Sequence, residues 1–309
     1  MKPTLLLAAI LLIGAMTLIA HKSSSTSQQT DVSTSSDMPK PRELASAENQ
    51  ELARLIERRF GAKPSGEIKY RAAGPFRFAG DNKFFYIDRT DTGSVAFERA
   101  EYGDPYKVRA ATLIRSAVMR RIPAALKGTD LDVPDRRFAE FQDEFAGAAE
   151  PKKLPRNFDP RKASRLVART TNFERVEQGV PFFGSEFLIG LNPDGSVGRF
   201  RKHWPKVDQA IVARASELQK SVRAGRWRLP AELRGDDITI IETTAGVGHS
   251  SFAEPGLRAE AVVRVLFRRT AKGTAYPISS TGYRYYTMDG REVHFVRYAE
   301  LPGSTGKKE

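Results

Sequence analysis

The chain has 309 residues, 40% of them hydrophobic and 9% aromatic, which suits one large or two ordinary packed domains and excludes an intrinsically disordered protein. It contains no cysteine, which excludes disulfides, thiolate zinc sites, cysteine nucleophiles and a lipoprotein anchor. The formal charge of +13 favours anionic partners for an exported protein. However, the basic residues are scattered in short pairs among acidic ones, a pattern typical of solvated surface.

The N-terminus is predicted to be an export signal. Residues 4–20 carry no charge and are mostly Leu, Ile and Ala, a stretch slightly long for the core of a signal peptide and short for a membrane span. Residues 1–20 are therefore either a signal peptide that is cleaved near Ala20 or a membrane anchor that is retained. Both alternatives place the rest of the chain outside the cytoplasm, in the periplasm, at the cell surface or secreted. Residues 21–40, rich in Ser, Thr and Gln, are predicted to be a flexible linker.

Residues 41–150 are predicted to form an N-terminal α+β domain. Apolar residues at helical spacing predict a first helix from Arg42 to Phe60, ended by Gly61. A β-meander is expected from Glu67 to Tyr102, because short apolar runs alternate there with turn residues.

Two further helices are predicted in this domain. Pro105 to Ile122 carries an apolar stripe at helical spacing, and Pro123 would end that helix. A shorter helix is expected after Pro134-Asp135. Three phenylalanines at helical spacing would share its inner face: Phe138, Phe141 and Phe145. The stretch from Gly147 to Pro155 has little periodicity and is the predicted domain boundary.

Residues 156–302 are predicted to form a second α+β domain, followed by a polar tail at 303–309. Asp159-Pro160 is a favourable helix start, with an N-cap residue before a proline. The apolar residues of this helix would be Ala163, Leu166, Val167 and Thr170.

The remaining elements of the second domain complete the predicted fold class. An amphipathic helix is expected from Lys206 to Arg223. Strands are expected from Ile238 to Glu242 and from Ala259 to Arg268, on either side of a glycine-rich loop at Gly246-Val247-Gly248. The order of helices and strands predicts an α+β fold in which antiparallel β-sheets pack with amphipathic helices.

A hairpin stands at the centre of the second domain. Phe187, Ile189 and Leu191 follow the two-residue period of a strand, and we expect them to face the core beside the Asp159 helix. The turn Asn192-Pro193-Asp194-Gly195 follows, in which glycine would take a positive φ.

Two other segments carry a similar pattern, Phe85 to Val95 and Tyr283 to Val293. An internal duplication would explain the three hairpins. The ordinary reuse of Asp-Gly turns in antiparallel proteins would explain them equally.

The segment from Phe173 to Phe200 contains three short motifs: Gln178-Gly179-Val180-Pro181, Phe183-Gly184 and Asn192-Pro193-Asp194-Gly195-Ser196-Val197. Together they resemble the PepSY and thermolysin-propeptide (FTP) modules, which pair a helix with a β-hairpin. The resemblance is limited to about residues 173–200. In secreted proteases such a module precedes a metalloprotease domain, and none follows here. The resemblance therefore implies PepSY-like hairpin-and-helix modules in an exported inhibitory, chaperoning or binding protein, not a catalyst.

No residue is assigned a catalytic, cofactor-binding or metal-binding role. The histidines at positions His21, His203, His249 and His294 form no His-Glu-x-x-His pair. Gly248-His249-Ser250-Ser251 invites a serine-hydrolase interpretation, but no Gly-x-Ser-x-Gly elbow occurs, and we expect a mobile loop. A P-loop and a complete dinucleotide-binding glycine motif are also missing from the sequence.

These observations lead to one functional expectation and two alternatives. We expect a non-enzymatic binding or regulatory protein of the bacterial envelope, without a cofactor, that acts on another exported protein. The first alternative is a basic envelope protein that binds anionic polymer or lipid. The second is a hydrolase whose site forms only in the fold. The N-terminal segment would associate with the membrane, and no specific nucleic acid is expected as a partner.

Overall fold

The computed structural model describes residues 41–63, 69–104, 112–147, 164–230, 233–236, 238–252, 254, 256–269, 283–286 and 292–299. The predicted export signal, linker, polar tail and most of the predicted domain boundary lie outside these residues. Within them, no helix is long and apolar enough to cross a membrane.

Three helices and thirteen strands form in the described part of the chain. The helices are α1 (Ser46–Phe60), α2 (Arg115–Leu126) and α3 (Gln209–Arg223). The first seven strands are β1 (Arg42–Glu43), β2 (Lys69–Ala73), β3 (Phe76–Gly80), β4 (Phe84–Arg89), β5 (Ser94–Arg99), β6 (Arg136–Gly147) and β7 (Ser164–Glu177). The remaining strands are β8 (Val180–Leu191), β9 (Val197–His203), β10 (Ile238–His249), β11 (Ala259–Arg269), β12 (Tyr283–Tyr286) and β13 (Glu292–Ala299).

All of these strands join into one sheet that forks at β8. One edge of β8 pairs with β7, which in turn pairs with β6. The other edge has two successive neighbours. Residues Glu186–Leu191 pair with β9. Beyond β9 the sheet continues through the meander, from β5 to β1. Phe182 and Phe183 pair with β10, which runs parallel to β8. Beyond β10 the sheet continues through β11, β13 and β12. The ends of β9 and β10 therefore meet beside the middle of β8.

Two apolar cores lie against this sheet. In the first, α1 and α2 cover one face of the meander together with β8 and β9. Its members include Leu52, Ile56, Phe60, Phe97, Val118, Ile122, Phe187, Ile189 and Phe200. In the second, α3 covers β8, β10 and β11, and the members include Val180, Val212, Ala215, Leu218, Val247, Val263, Val265 and Phe267. Each fully buried large apolar side chain contributes roughly 1.5–3 kcal/mol.

Several sequence predictions are confirmed. Helix α1 ends before Gly61, which has the left-handed φ of 61° that glycine tolerates. The predicted meander corresponds to β2–β5. Helix α3 lies within the predicted Lys206–Arg223 segment and buries its apolar face. In the central hairpin, Phe187, Ile189 and Leu191 are all buried.

The predicted fold class is wrong, because the described chain is mostly a large antiparallel sheet and not an α+β fold built of hairpin-and-helix modules. The hairpin β8–β9 is present. The helix that a PepSY-like module would place before it is strand β7 in the residues that the structure describes. The core beside the hairpin is completed by α1 and α2 instead.

The helix predicted around Phe138 is strand β6, and a β-bulge explains the misleading spacing. The pairing with β7 shifts between Phe138 and Glu140, so that Ala139 is an extra residue in β6. An extra residue interrupts the alternation of side chains along a strand. Phe138 and Phe141, three residues apart, therefore contact each other with ring centroids separated by 5.0 Å.

A second bulge explains the helix predicted from Asp159. Leu166, Val167 and Thr170 lie in β7, and residues 159–163 lie outside the described residues. The pairing with β6 shifts so that Val167 has no partner of its own. Val167 and its neighbour Ala168 are consequently both buried, a pattern that resembles the inner face of a helix.

The predicted helix from Pro105 to Ile122 is also corrected. Helix α2 begins at Arg115, and Pro123 lies inside it and does not end it. Residues 105–111 lie outside the described residues. Val118, Ile122 and Leu126 form one buried stripe along α2. The apolar face of the helix therefore continues beyond Pro123, and the helix continues with it.

Candidate functional site

An open cleft of about 770 Å³ lies on the sheet face that the helices leave uncovered. Its floor consists of side chains that alternate with core residues: Glu98 follows Phe97, and Arg199 and Arg201 flank Phe200. Because successive side chains of a strand point to opposite faces, these polar groups face away from α1 and α2. The floor also includes Phe85, Ala96, Glu186 and Leu188, and the β6–β7 side contributes Gln142, Glu144 and Asn172.

The charges of the cleft floor are already paired. Arg199 contacts Glu98 at 2.9 Å and also bonds Glu144 across the cleft. Arg201 contacts Glu186 at 3.0 Å. Burial lowers the pKa of the Arg199 guanidinium, but its carboxylate neighbours outweigh this and hold the pKa above the ordinary value. The cleft is therefore polar but electrostatically balanced.

One end of the cleft reaches the fork at Ser185. The pairing of β8 with β7 is irregular there. Phe173 of β7 pairs with Phe187 and Arg175 pairs with Phe182, so Glu174 alone lies opposite the β8 residues between them, and β8 bends. Gly184 has a φ of 104°, which lies outside the region that side-chain-bearing residues favour. A Cβ atom on Gly184 would also approach the backbone oxygen of His249 to 2.8 Å. Ser185, half-buried, follows directly and lines the cleft.

Two buried histidines meet beside Ser185, with ring centroids 5.1 Å apart. Nε2 of His203 lies 2.8 Å from the backbone oxygen of Ser250, and Nδ1 of His249 lies 3.0 Å from the same oxygen. A carbonyl oxygen can only accept a hydrogen bond, so each of these nitrogens carries a hydrogen. In the neutral rings the other nitrogens therefore accept, from Ser94 Oγ at 2.7 Å and from Ser185 Oγ at 2.8 Å.

The environment of His203 disfavours positive charge. Burial lowers the pKa of His203, the charge of Arg89 lowers it further, and the hydrogen bond to Ser250 only partly offsets these effects. Arg89 itself has a fully buried side chain. These effects favour a neutral imidazole at His203, at the junction of the two sheet halves.

The Ser185–His249 hydrogen bond has the distance of a nucleophile–base pair, but its surroundings favour a structural role. A general base must carry the serine proton during catalysis, and a carboxylate at the second ring nitrogen stabilises that charge in a catalytic triad. Nδ1 of His249 instead donates to a backbone oxygen, and a charged ring would lie beside His203. The hydroxyl and the ring thus satisfy each other within the fold.

The glycine-rich loop predicted at Gly246-Val247-Gly248 is wrong, because these residues lie inside β10 and are buried. A Cβ atom on Gly246 would lie 2.3 Å from the backbone oxygen of Pro181, and one on Gly248 would lie 3.0 Å from Val262. The glycines allow close approach of neighbouring strands, which is a packing requirement and not mobility.

The four histidines differ in their positions in the fold. The fold brings His203 and His249 together, while His294 lies on β13 and His21 lies outside the described residues. Among the residues that the structure describes, no group of three or more His, Asp or Glu side chains could hold a metal ion. Sequence reasoning missed the cleft. The alternation Arg199-Phe200-Arg201 could have indicated the cleft, because it predicts a strand with one apolar face and one charged face.

Comparison with protein-family models and with curated proteins gives no match. Among solved structures, the chain is similar to an uncharacterized protein from Eubacterium rectale ATCC 33656, with 9% sequence identity and a TM-score of 0.31. The alignment covers 88% of this chain and 86% of that one.

Proposed function

We propose that the protein is a non-enzymatic binding protein of the bacterial envelope that engages another exported protein through the cleft. The cleft itself carries this proposal, because it is an open concave surface that combines apolar side chains with a few polar groups, as binding sites commonly do. Phe85 and Leu188 supply half-buried apolar area, and Gln142, Asn172 and Ser185 supply hydrogen-bonding groups.

The edge strand β6 supports a polypeptide as the partner. Strand β6 pairs with β7 on one side, and its other edge pairs with no strand among the described residues. Such an edge offers backbone donors and acceptors to an added strand. Gln142 and Glu144 of the same strand line the cleft, and Phe138 is 42% exposed. A partner segment along β6 would therefore reach both the edge and the cleft.

The pairing of charges argues against the alternative of an anionic polymer or lipid in this cleft. Of the three arginines that line the cleft, Arg199 and Arg201 are bonded to carboxylates, and Arg99 donates to the backbone oxygens of Val197 and Phe60. An anion would have to compete with Glu98, Glu144 or Glu186 for the guanidinium groups of Arg199 and Arg201, which weakens its binding there.

Affinity capture with matched tryptophan variants tests the proposal. Gln142 is exposed and lines the cleft, so Gln142→Trp fills the cleft without disturbing the core. Glu217→Trp places the same side chain on the exposed surface of α3 as a control. Full-length protein in mild detergent is immobilised and exposed to extract of exported proteins. We expect wild type and Glu217→Trp to retain the same partner, and Gln142→Trp to lose most of it.

Three outcomes would contradict the proposal. Equal retention by both tryptophan variants would place the partner elsewhere on the surface. Binding of purified anionic polymer or lipid that collapses as salt rises, with no protein retained, would favour the electrostatic alternative. Retention of no ligand at all would remove the binding function.

A further inference from the structure

Side chains from β4, β9 and β10 bind the connection between β10 and β11, of which the structure describes residues 250–252, 254 and 256–258. Its backbone oxygens accept every one of these bonds. His203 of β9 and His249 of β10 both donate to the oxygen of Ser250. Nη1 of Arg89 in β4 donates to the oxygens of Phe252 at 2.9 Å and Glu254 at 2.6 Å. Since β4 and β9 belong to one branch of the sheet and β10 to the other, these contacts join the two branches.

The charged groups that face His203 come from every element around it. Arg89 projects from β4, and Asp91 from the β4–β5 turn binds Arg89 through both carboxylate oxygens. Glu254 lies in the β10–β11 connection, where it accepts from the backbone nitrogen of Ser251. Glu186 of β8 stands opposite His203 in the sheet and is bonded to Arg201.

The partners of these groups decide how the site responds to a proton. Each of the three carboxylates around His203 already has a partner: Arg89 for Asp91, Arg201 for Glu186, and both a backbone amide and Arg258 for Glu254. His249, the remaining neighbour, is a second buried imidazole, whose Nδ1 donates to the same Ser250 oxygen. A proton added to His203 would therefore place a new positive charge near the buried guanidinium of Arg89.

We propose that this fork is an acid-sensitive clasp, in which protonation of the His203–His249 pair releases the β10–β11 connection and loosens the junction of the two sheet branches. At neutral pH the rings donate to Ser250 and the connection is docked. In the released state water solvates the rings, and they take up protons as the pH falls below the ordinary histidine pKa of about 6.5. Protonation therefore stabilises the released state relative to the docked state. Release therefore accompanies acidification and reverses on neutralisation.

The same proton also changes the end of the cleft. In the neutral state the Ser185 hydroxyl donates to Nε2 of His249. A protonated ring donates from Nε2 instead, so the hydroxyl hydrogen of Ser185 must turn away. Ser94 must make the same change at Nδ1 of His203, and it can do so because Thr92 Oγ1 lies 2.7 Å away. Acidification thus converts Ser185 into a hydrogen-bond donor toward the cleft.

Hydrogen exchange measures the release directly. Full-length protein in detergent is compared at about pH 7.5 and about pH 5, on either side of the ordinary histidine pKa. Exchange is expressed as protection relative to the intrinsic amide rate at each pH. We expect amides of the β10–β11 connection to lose protection at the lower pH, by at most about tenfold for each pH unit below 6.5 and for each histidine that is protonated on release. Amides of α1 should keep theirs.

A double variant separates the histidines from other acid effects. His203→Gln with His249→Gln keeps a side-chain amide that can donate to Ser250 but that takes up no proton in this range. Its connection should stay protected at both pH values, while the control Glu217→Gln, an exposed change on α3, should behave as wild type. Equal loss of protection in the double variant and wild type would overturn the proposal.

Two measurements on unaltered protein decide the matter even if the double variant does not fold. Unchanged protection of the connection between the two pH values would overturn the clasp. Histidine C2–H signals that titrate at the ordinary pKa of about 6.5, without any change in protection, would overturn it as well. Coincidence of ring titration with loss of protection is the expected result.

Discussion

Tyr102 lies so close over Gly190 that a Cβ atom on the glycine would approach the tyrosine hydroxyl oxygen to 2.0 Å. The same ring covers Gly198 of β9, and its hydroxyl donates to the backbone oxygen of Arg169 in β7 at 2.9 Å. One side chain therefore clamps three neighbouring strands. Burial raises the pKa of Tyr102 to about 12, so the clamp is neutral and intact at physiological pH.

Gly190→Ala should destabilise the protein by about 1–3 kcal/mol, because the added methyl group forces Tyr102 out of its place. Urea unfolding measures the loss. In a Tyr102→Ala background the same glycine change should cost little, since the overlapping ring has gone. A double-mutant cycle with no coupling between the two positions would show that Tyr102 does not occupy this space.

Three single substitutions in the β8–β9 hairpin should lower the stability of the protein by different amounts. Ile189 is fully buried, so Ile189→Ala should cost about 2–5 kcal/mol. Gly195 has a φ of 92°, where a β-branched residue is strained, so Gly195→Val should cost on the order of 1–2 kcal/mol or more. Leu188→Ala should cost less, because Leu188 is half-buried on the cleft face. Equal losses at Ile189 and Leu188 in thermal melts would show that this face is covered and the cleft closed.

The ion pair between Arg59 and Asp130 predicts a loss of stability in strong acid. Arg59 in the last turn of α1 donates hydrogen bonds to both carboxylate oxygens of Asp130. These bonds and the positive charge of Arg59 lower the pKa of Asp130 to about 2. A lowered carboxylate pKa contributes stability that is complete above the ordinary value of about 4 and is lost as the pH falls toward 2.

Asp130 is about half exposed, which limits the contribution to less than about 1 kcal/mol. Asp130→Asn should therefore lower stability slightly near pH 7, by denaturant unfolding. The difference from wild type should shrink as the pH falls through the range in which Asp130 takes up its proton. A difference that stays constant down to the lowest pH would contradict the assignment.

The proposed export can be tested independently of the fold. Residues 1–40 fused to a reporter that is active only outside the cytoplasm should give signal, because residues 4–20 form an uncharged apolar segment. An inactive reporter would contradict export. Immunoblotting of the native protein then distinguishes the alternatives, since cleavage near Ala20 shortens the chain and a retained anchor does not.

Local patterns predicted well wherever the chain follows one regular period. The meander β2–β5, the hairpin with its turn at Gly195, and α1 with its end at Gly61 all combine uninterrupted periodicity with turn or cap chemistry. These signals arise within a few residues of one another, so the sequence alone carries them.

The sequence by itself thus determined which short segments turn, which face of the hairpin is apolar and where α1 and α3 end. Only the tertiary structure decided that Phe138 and Val167 lie in strands, because bulges interrupted the alternation and produced a spacing that helices share. The tertiary structure also decided the cleft and the meeting of His203 with His249. Strands distant in the sequence meet at one bend in β8, and no local pattern specifies which strand edges will pair there.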